Sequence, residues 1–283
     1  MLTICGRCVR KNLLFYHTLM IISGMEPRNI IRYAVLGSGS NGNSYAFYDG
    51  NATLLVDQGY SLVELKRRME AVSIPFSSVR GLCVTHLHPD HVRGVGTFAR
   101  KTGLPVFFFE DVPRKEPVVF SRLNLPPSVA RFVPLGTRFP VGSFVLHCFP
   151  TSHDSGGSVG WSIADGDERF MVLSDTGVCT DTQREEARES DILFLEANYD
   201  ADMLGKGPYP PALKRRIAGK WGHLSNDQAI SFLKESGFHG SHVYFVHLSA
   251  VNNDPVLLEG QVERACRGSF TVCEKGKTYQ GSV

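Results

Sequence analysis

The run Thr85-His86-Leu87-His88-Pro89-Asp90-His91 constrains this chain more than any other stretch. Three histidines and one aspartate fall within six positions, directly after the apolar run Gly81-Leu82-Cys83-Val84. Alternate side chains of an extended backbone point the same way, so His86 and His88 share a face. Pro89 helps to fix a turn, and Asp90 and His91 follow on it. Imidazole and carboxylate are ligands that zinc, manganese and iron accept. Four such groups at a strand end, projecting into one space, have the capacity for two metal ions.

At 283 residues the chain has room for one large domain or two ordinary ones. An apolar content of 42% and a charged content of 20% describe a soluble globular protein with ample core. The net charge of +2 announces no nucleic-acid partner, so any such binding must rest on a local patch. Seven cysteines, an odd number mostly in apolar runs, read as reduced thiols of a cytoplasmic protein. Residues 1–24 stand apart. Arg7, Arg10 and Lys11 precede an apolar run from Leu13 to Ile22, which faintly imitates a signal peptide. His17 and Thr18 interrupt that run, and it is too short to span a bilayer. Cys5-x-x-Cys8 has no second pair nearby, which argues against a zinc ribbon. Met25 opens a compact sequence, so 1–24 are expected to be an over-extended start or a non-core extension. The alternative is a cleaved signal or an anchor. Residues 25–283 are expected to form a single domain without a membrane partner.

From Ile31 onward, short apolar runs alternate with glycine-rich turns. Strands are predicted at Ile31–Leu36, Ser44–Tyr48, Ala52–Val56, Arg80–Val84, Leu104–Phe109 and Arg131–Val133. A second series covers Ser143–Phe149, Val159–Ala164, Arg169–Leu173, Ile192–Glu196, His242–Val246 and Phe270–Cys273. Helical spacing marks Ser61–Ala71, with Ser61 and Glu64 as a capping box. Further helices are expected at Val92–Lys101, Thr180–Glu189, Pro211–Ala218, Ser225–Glu235 and Pro255–Cys266. Asp111–Pro127, with four prolines, reads as loop. Two groups of strands, each closed by helices, suit two sheets packed face to face with helices outside.

Besides the histidine cluster, five residues sit at predicted strand ends: Asp57, His153, Asp175, Glu196 and His247. Each alone reads as a turn or cap, but strand ends at one rim are where ligand loops gather. The pattern His-x-His-x-Asp-His followed by Gly94 resembles the metallo-β-lactamase fold superfamily, and the resemblance extends from Ile31 to the C-terminus. It implies an α/β fold, a four-layer αββα sandwich with two divalent metals at one edge between the sheets. It also implies that His86, His88 and His153 hold the first metal, that Asp90, His91 and His247 hold the second, and that Asp175 bridges them. Asp57 would support the cluster by orienting a ligand histidine. A dinuclear centre of this kind presents a bridging hydroxide at neutral pH. Fold and metals alone do not choose among phosphodiesters, lactones, thioesters and β-lactams.

Three features point to phosphodiesters. Leu36-Gly37-Ser38-Gly39-Ser40-Asn41-Gly42-Asn43-Ser44 offers backbone amides to an anion, although a tight hairpin serves equally well. The run resembles the opening of RNase Z-type and YycJ-like (WalJ) nucleases. Glu196 and His223, in Trp221-Gly222-His223-Leu224-Ser225, resemble the RNase Z-like pair that acts beside a metal-bound aspartate, here Asp90. In that family the histidine protonates the leaving oxygen. Capping the helix near Ser225 is the alternative for His223. The ending His247-Leu248-Ser249-Ala250-Val251-Asn252-Asn253 resembles the YycJ-like family, associated with exonuclease action on DNA, and places Asn252 and Asn253 near substrate.

Lys214, Arg215, Arg216 and Lys220 form a basic patch just before His223. It reads either as a solvated helix face or as a phosphate-binding mouth, with Tyr209 and Trp221 as stacking faces. His147, His239 and His242 are given no ligand role. The leading expectation is a metal-dependent phosphodiesterase, a DNA exonuclease of the YycJ-like type. Alternatives are a small cyclic or nucleotide phosphodiesterase, a glyoxalase- or lactonase-like hydrolase, and an inactive metal-binding scaffold.

Overall fold

The computed structural model describes residues 30–283, so the expectation for residues 1–24 lies outside the described residues. Residues Ile31–Val283 form one compact unit. Its first sheet holds β1 (Arg32–Gly37), β2 (Ser44–Tyr48), β3 (Thr53–Val56), β4 (Val79–Cys83), β5 (Val106–Phe109) and β6 (Ala130–Val133). The second holds β7 (Phe139–Val141), β8 (Phe144–Pro150), β9 (Val159–Asp165), β10 (Glu168–Leu173), β11 (Ile192–Glu196), β12 (His242–Val246) and β13 (Phe270–Val272). The final strand β14 (Tyr279–Ser282) returns to the first sheet. The spatial orders are β14-β1-β2-β3-β4-β5-β6 and β13-β12-β11-β10-β9-β8-β7. Each sheet is antiparallel in one part and parallel in the other.

Period-two alternation sorts the second sheet's side chains between two cores. Phe170, Val172, Ile192, Phe194, Tyr244 and Val246 face the first sheet. There Tyr33 and Phe47 meet Phe170 and Phe194 at centroid distances of 5.2–6.0 Å, in the tilted and edge-on geometries that aromatic rings favour. The intervening Met171, Leu173, Leu193, Leu195, Val243 and Phe245 face outward. They are covered by Ala187, Ala229, Ile230, Phe232, Leu258 and Val262 from three helices, Asp181–Arg188, Asn226–Ser236 and Pro255–Ala265. This is the expected α/β sandwich of two sheets with helices outside.

The differences from expectation are local. The helix expected at Val92–Lys101 is two pieces, Pro89–Val92 and Val95–Thr102. The first follows directly from the histidine turn, because Pro89 suits an N-terminal helical position. Asp111–Pro127 is not all loop: Val112–Lys115 and Pro117–Arg122 are short helices, each begun by a proline in its first turn. The strands Phe139–Val141 and Tyr279–Ser282 and the helix Ala201–Lys206 carry too few apolar residues to stand out by pattern. Ser61 caps its helix by accepting from the Glu64 amide, while the Glu64 carboxylate binds Arg67 and Arg68. Among the described residues, no helix is long and apolar enough to cross a membrane.

Candidate metal centre

Strands β3 and β4 run parallel and end together, which sets Asp57 beside Thr85. The Asp57 carboxylate accepts from the Thr85 amide and hydroxyl, both at 2.8 Å. The same group lies 2.7 Å from His91 Nδ1. That contact fixes the ring so that Nε2 turns inward, 3.3 Å from Asp175 and 3.6 Å from Asp90. Gly59, two residues after Asp57, lets the turn dock: a Cβ there would lie 1.8 Å from the Asp90 carbonyl oxygen. The second sheet is pinned to the same place. The Val159 amide donates to the Thr85 carbonyl at 3.0 Å, and the Trp161 indole to the Val84 carbonyl at 3.1 Å.

The second sheet's candidate ligands arrive singly. His153 follows β8, and its Nδ1 meets the Gly222 carbonyl at 2.9 Å, leaving Nε2 to face inward. Asp175 follows β10 and lies 3.5 Å from His247 Nε2 and 3.6 Å from His153 Nε2. His247 follows β12. Its Nδ1 is 3.2 Å from the Asn198 amide group, and its Nε2 is 3.4 Å from Asp90. Asp57, Asp175 and His247 all take left-handed backbone angles, with φ of 57°, 58° and 59°. Such angles are costly for residues other than glycine and gather at functional sites.

The seven expected ligands come together in three overlapping groups: His86 with His88 and His153, His86 with His91 and Asp175, and Asp90 with His91 and His247. A further group joins Asp175, Glu196, His223 and His247. The donor set suits divalent ions with nitrogen and oxygen ligands. His86 supplies the test of fit. Its Nδ1 lies 3.0 Å from the Thr85 hydroxyl, while its Nε2 is buried without any protein partner. A buried orphan of this kind calls for a partner, and a metal ion held by these groups would supply one.

The electrostatics divide along the same line. Burial, with help from His91, drives the His86 pKa well down, and burial likewise lowers His88. Both are neutral and ready to ligate. Burial also opposes charge on His91, but Asp175 and Asp57 outweigh it and lift the group to about 9. His247 is raised well above its ordinary value, since Asp175 and Asp90 overcome its burial. Asp90 and Asp175 are depressed, the neighbouring histidines overcoming burial in both.

Glu196 ends β11 fully buried. One carboxylate oxygen accepts from the Thr176 amide at 3.0 Å and the Leu224 amide at 3.3 Å. The other lies 2.6 Å from His223 Nδ1. His223 borders the cavity over the centre, of about 300 Å³, and its Nδ1 is 3.6 Å from Asp175. Burial works against its charge, yet Glu196 raises its pKa. His223 does not cap the next helix, because Ser225 does so with a full capping box.

Other expected contacts are placed differently. Asn252 and Asn253, expected near substrate, are buried instead. Asn253 donates to Ala197 and Asn226 at 2.9 and 2.8 Å, and the Asn252 carbonyl accepts from the Asp200 amide at 2.8 Å. Asn253 is thereby committed within the protein, whereas the Asn252 side-chain amide is buried with no protein partner. The basic patch lies on the helix Pro211–Ile217 and the turn after it. Arg216 borders the cavity and is paired with Asp154, Lys214 donates to the Gly205 carbonyl at 2.6 Å, and Lys220 lies 5.1 Å over the Trp221 ring. Arg215 is exposed. The glycine-rich turn spends the Gly39 amide on Asn43 and the Gly42 amide on Gly39. It acts as a buttress: the Ser38 hydroxyl accepts from the His247 amide, and Asn43 donates to Asp90.

Sequence reasoning missed Asn43, Thr85, Asp154 and Asn198. Asp154 lies 3.4 Å from His88 Nε2, so His88 turns its Nδ1 to the centre, 3.1 Å from His153 Nε2. Its adjacency to His153 was the one available signal.

Comparison with known proteins places the chain in a family. Residues 52–248 match the family model described as the beta-lactamase superfamily domain. The chain is 30% identical to exodeoxyribonuclease YycJ of Bacillus anthracis, over 79% of this chain and 84% of the relative. It is also 30% identical to exodeoxyribonuclease WalJ of Streptococcus pneumoniae, over 78% and 83%. Among solved structures, the metallo-β-lactamase fold protein YhfI of Bacillus subtilis superposes with a TM-score of 0.69 at 19% identity, covering 89% of this chain and all of that one. The chain belongs to the beta-lactamase superfamily, as a metal-dependent hydrolase of the metallo-β-lactamase fold.

Proposed function

We propose that the chain is a dinuclear phosphodiesterase that degrades DNA from an end. The observation that carries this reading is the Glu196–His223 pair, 2.6 Å apart, at the edge of the ligand cluster. His86, His88 and His153 would hold one divalent ion, Asp90, His91 and His247 the other, with Asp175 shared. Zinc, manganese and iron all suit the set. Such ions, when bound, activate water as a nucleophile and stabilise the charge developing on phosphate. The protein's own part is proton handling. Glu196 holds the Nδ1 proton of His223 and favours the charged ring, so a proton stands at Nε2 for the departing alkoxide. An alkoxide needs that proton, whereas the thiolate expelled from a thioester leaves without one. The relatives named exodeoxyribonucleases support DNA as the polymer.

The test is to incubate the metal-loaded protein with end-labelled duplex DNA, single-stranded DNA, RNA and a nitrophenyl phosphodiester. A ladder growing from one DNA end is expected. One observation favours a second reading, a small nucleotide phosphodiesterase. Arg216 and Lys214 are engaged within the protein, so the helix Pro211–Ile217 presents less free charge than its sequence suggests. Turnover of the small diester with no cleavage of any polymer would select that reading.

A further inference from the structure

We propose that Lys275 is a positioning residue that holds a substrate phosphate at the end of the rim opposite Arg216. This rests on the reading that the substrate is a nucleic-acid strand. Strand order separates the two cations. Asp154, which holds Arg216, follows β8, near one edge of the second sheet. Lys275 lies in the turn between β13 and β14, which are the opposite edge of that sheet and an edge of the first. Both cations nevertheless border the same cavity, together with His88 and His153 toward Arg216 and His247 and Ser40 toward Lys275. A strand lying across the metal centre therefore meets one cation on each side of the reacting phosphate.

The local structure around Lys275 suits this task. Its aliphatic stem passes over Gly39, whose φ is +99°. A Cβ at Gly39 would stand 4.0 Å from the Lys275 Cγ and 3.3 Å from the Leu248 carbonyl oxygen. The stem thus starts along the glycine turn, and the side chain is exposed at the border of the cavity, where long cationic side chains commonly reach out to solvent or an anion. The turn itself is held from below by Arg68, which donates to the Leu36 carbonyl at 2.6 Å and the Gly276 carbonyl at 3.3 Å. Lys277, its neighbour, is tied to Glu274 at 2.5 Å, and Arg216 is tied to Asp154. Among the described residues Lys275 has no such carboxylate partner. A phosphate arriving there displaces no existing ion pair, whereas one arriving at Arg216 competes with Asp154.

The experiment measures KM and kcat on an end-labelled oligonucleotide across a range of salt, for the metal-loaded wild type, Lys275→Ala, Lys275→Arg and Lys277→Ala. Losing one phosphate contact should flatten the log–log salt dependence by about 0.7 on a single strand and about 0.9 on a duplex. KM should rise with kcat kept, the mark of lost uniform binding. Lys275→Arg should restore both, Lys277→Ala should match the wild type, and turnover of a nitrophenyl diester should be unchanged in all. A wild-type salt slope and KM in Lys275→Ala would overturn the assignment, as would an equal shift in Lys277→Ala or an equal loss on the small diester. A wild-type protein that turns over only the small diester would remove the nucleic-acid reading itself, an outcome visible before any variant is made.

Discussion

The two sheets supply the centre in opposite ways. The first gives His86, His88, Asp90 and His91 from one turn after β4, braced by Asp57, Thr85 and Asn43. The second gives His153, Asp175, Glu196 and His247 one at a time, from the ends of β8, β10, β11 and β12. The first rim is therefore encoded locally and needs one turn to form. The second exists only when the strands from β8 to β12 lie in register, since a slip of one residue turns a side chain to the other face. A local rim tolerates change elsewhere in the fold, while a dispersed one reports on the packing of the whole sheet.

The largest effect should come from Asp175, where the two rims meet. Asp175→Ala removes the carboxylate closest to ligands of both groups. Metal content and hydrolysis should both fall to background, measured by elemental analysis and diester turnover. Retention of both ions would break the picture of rims joined through this residue.

Next comes the second rim's proton pair. His223→Ala should lower turnover by roughly 10²–10⁴ with both metals kept. The defect should shrink on a nitrophenyl diester, whose leaving group needs no proton. Glu196→Gln should give a milder loss of the same kind. Loss of a metal from His223→Ala would move this residue from proton donor to ligand.

The first rim's brace should matter less. Asp57→Asn keeps the shape but weakens the hold on His91, and metal affinity should drop by about 10–100-fold. The loss should be confined to one of two ions in a stepwise zinc titration followed by calorimetry. Equal weakening of both would show that the rims are not separable.

The smallest effect lies outside the rims. Arg67 and Arg68 hold the Glu64 carboxyl down at about 2, against slight burial. A depressed carboxyl stabilises the fold above its unfolded value and loses that contribution as pH falls through the folded one. Glu64→Gln should therefore cost under about 1 kcal/mol at neutral pH. The gap from wild type should close between pH 4.5 and about 2 in urea titrations. A pH-independent gap would assign the effect to packing.

This contrast also explains what was legible in the chain. The first rim is contiguous, and four residues of ligand type within six positions have few other uses. The strands that carry the second rim stood out through runs such as Ile192–Leu195, and their final residues could be picked as candidates. Which of those ends converge is set by strand order and parallel register, which apolar pattern does not encode. The supporting groups were less legible still. Asn198 and Thr85 are ordinary polar residues in loops, distinguished only by what folding brings beside them. Asn253 shows the converse, a side chain of functional type buried and bonded within the protein.

The left-handed backbone at Asp57, Asp175 and His247 has a consequence for anyone who tries to harden this protein. Each such residue carries about 1–3 kcal/mol of conformational strain that glycine would relieve. A selection for heat resistance alone would therefore reward glycine at these three positions, provided the lost side-chain contacts cost less than the strain relieved. Each gain would remove a group that the proposed chemistry relies on. Selection for melting temperature and selection for turnover would pull in opposite directions here, so thermostable variants need to be screened on both.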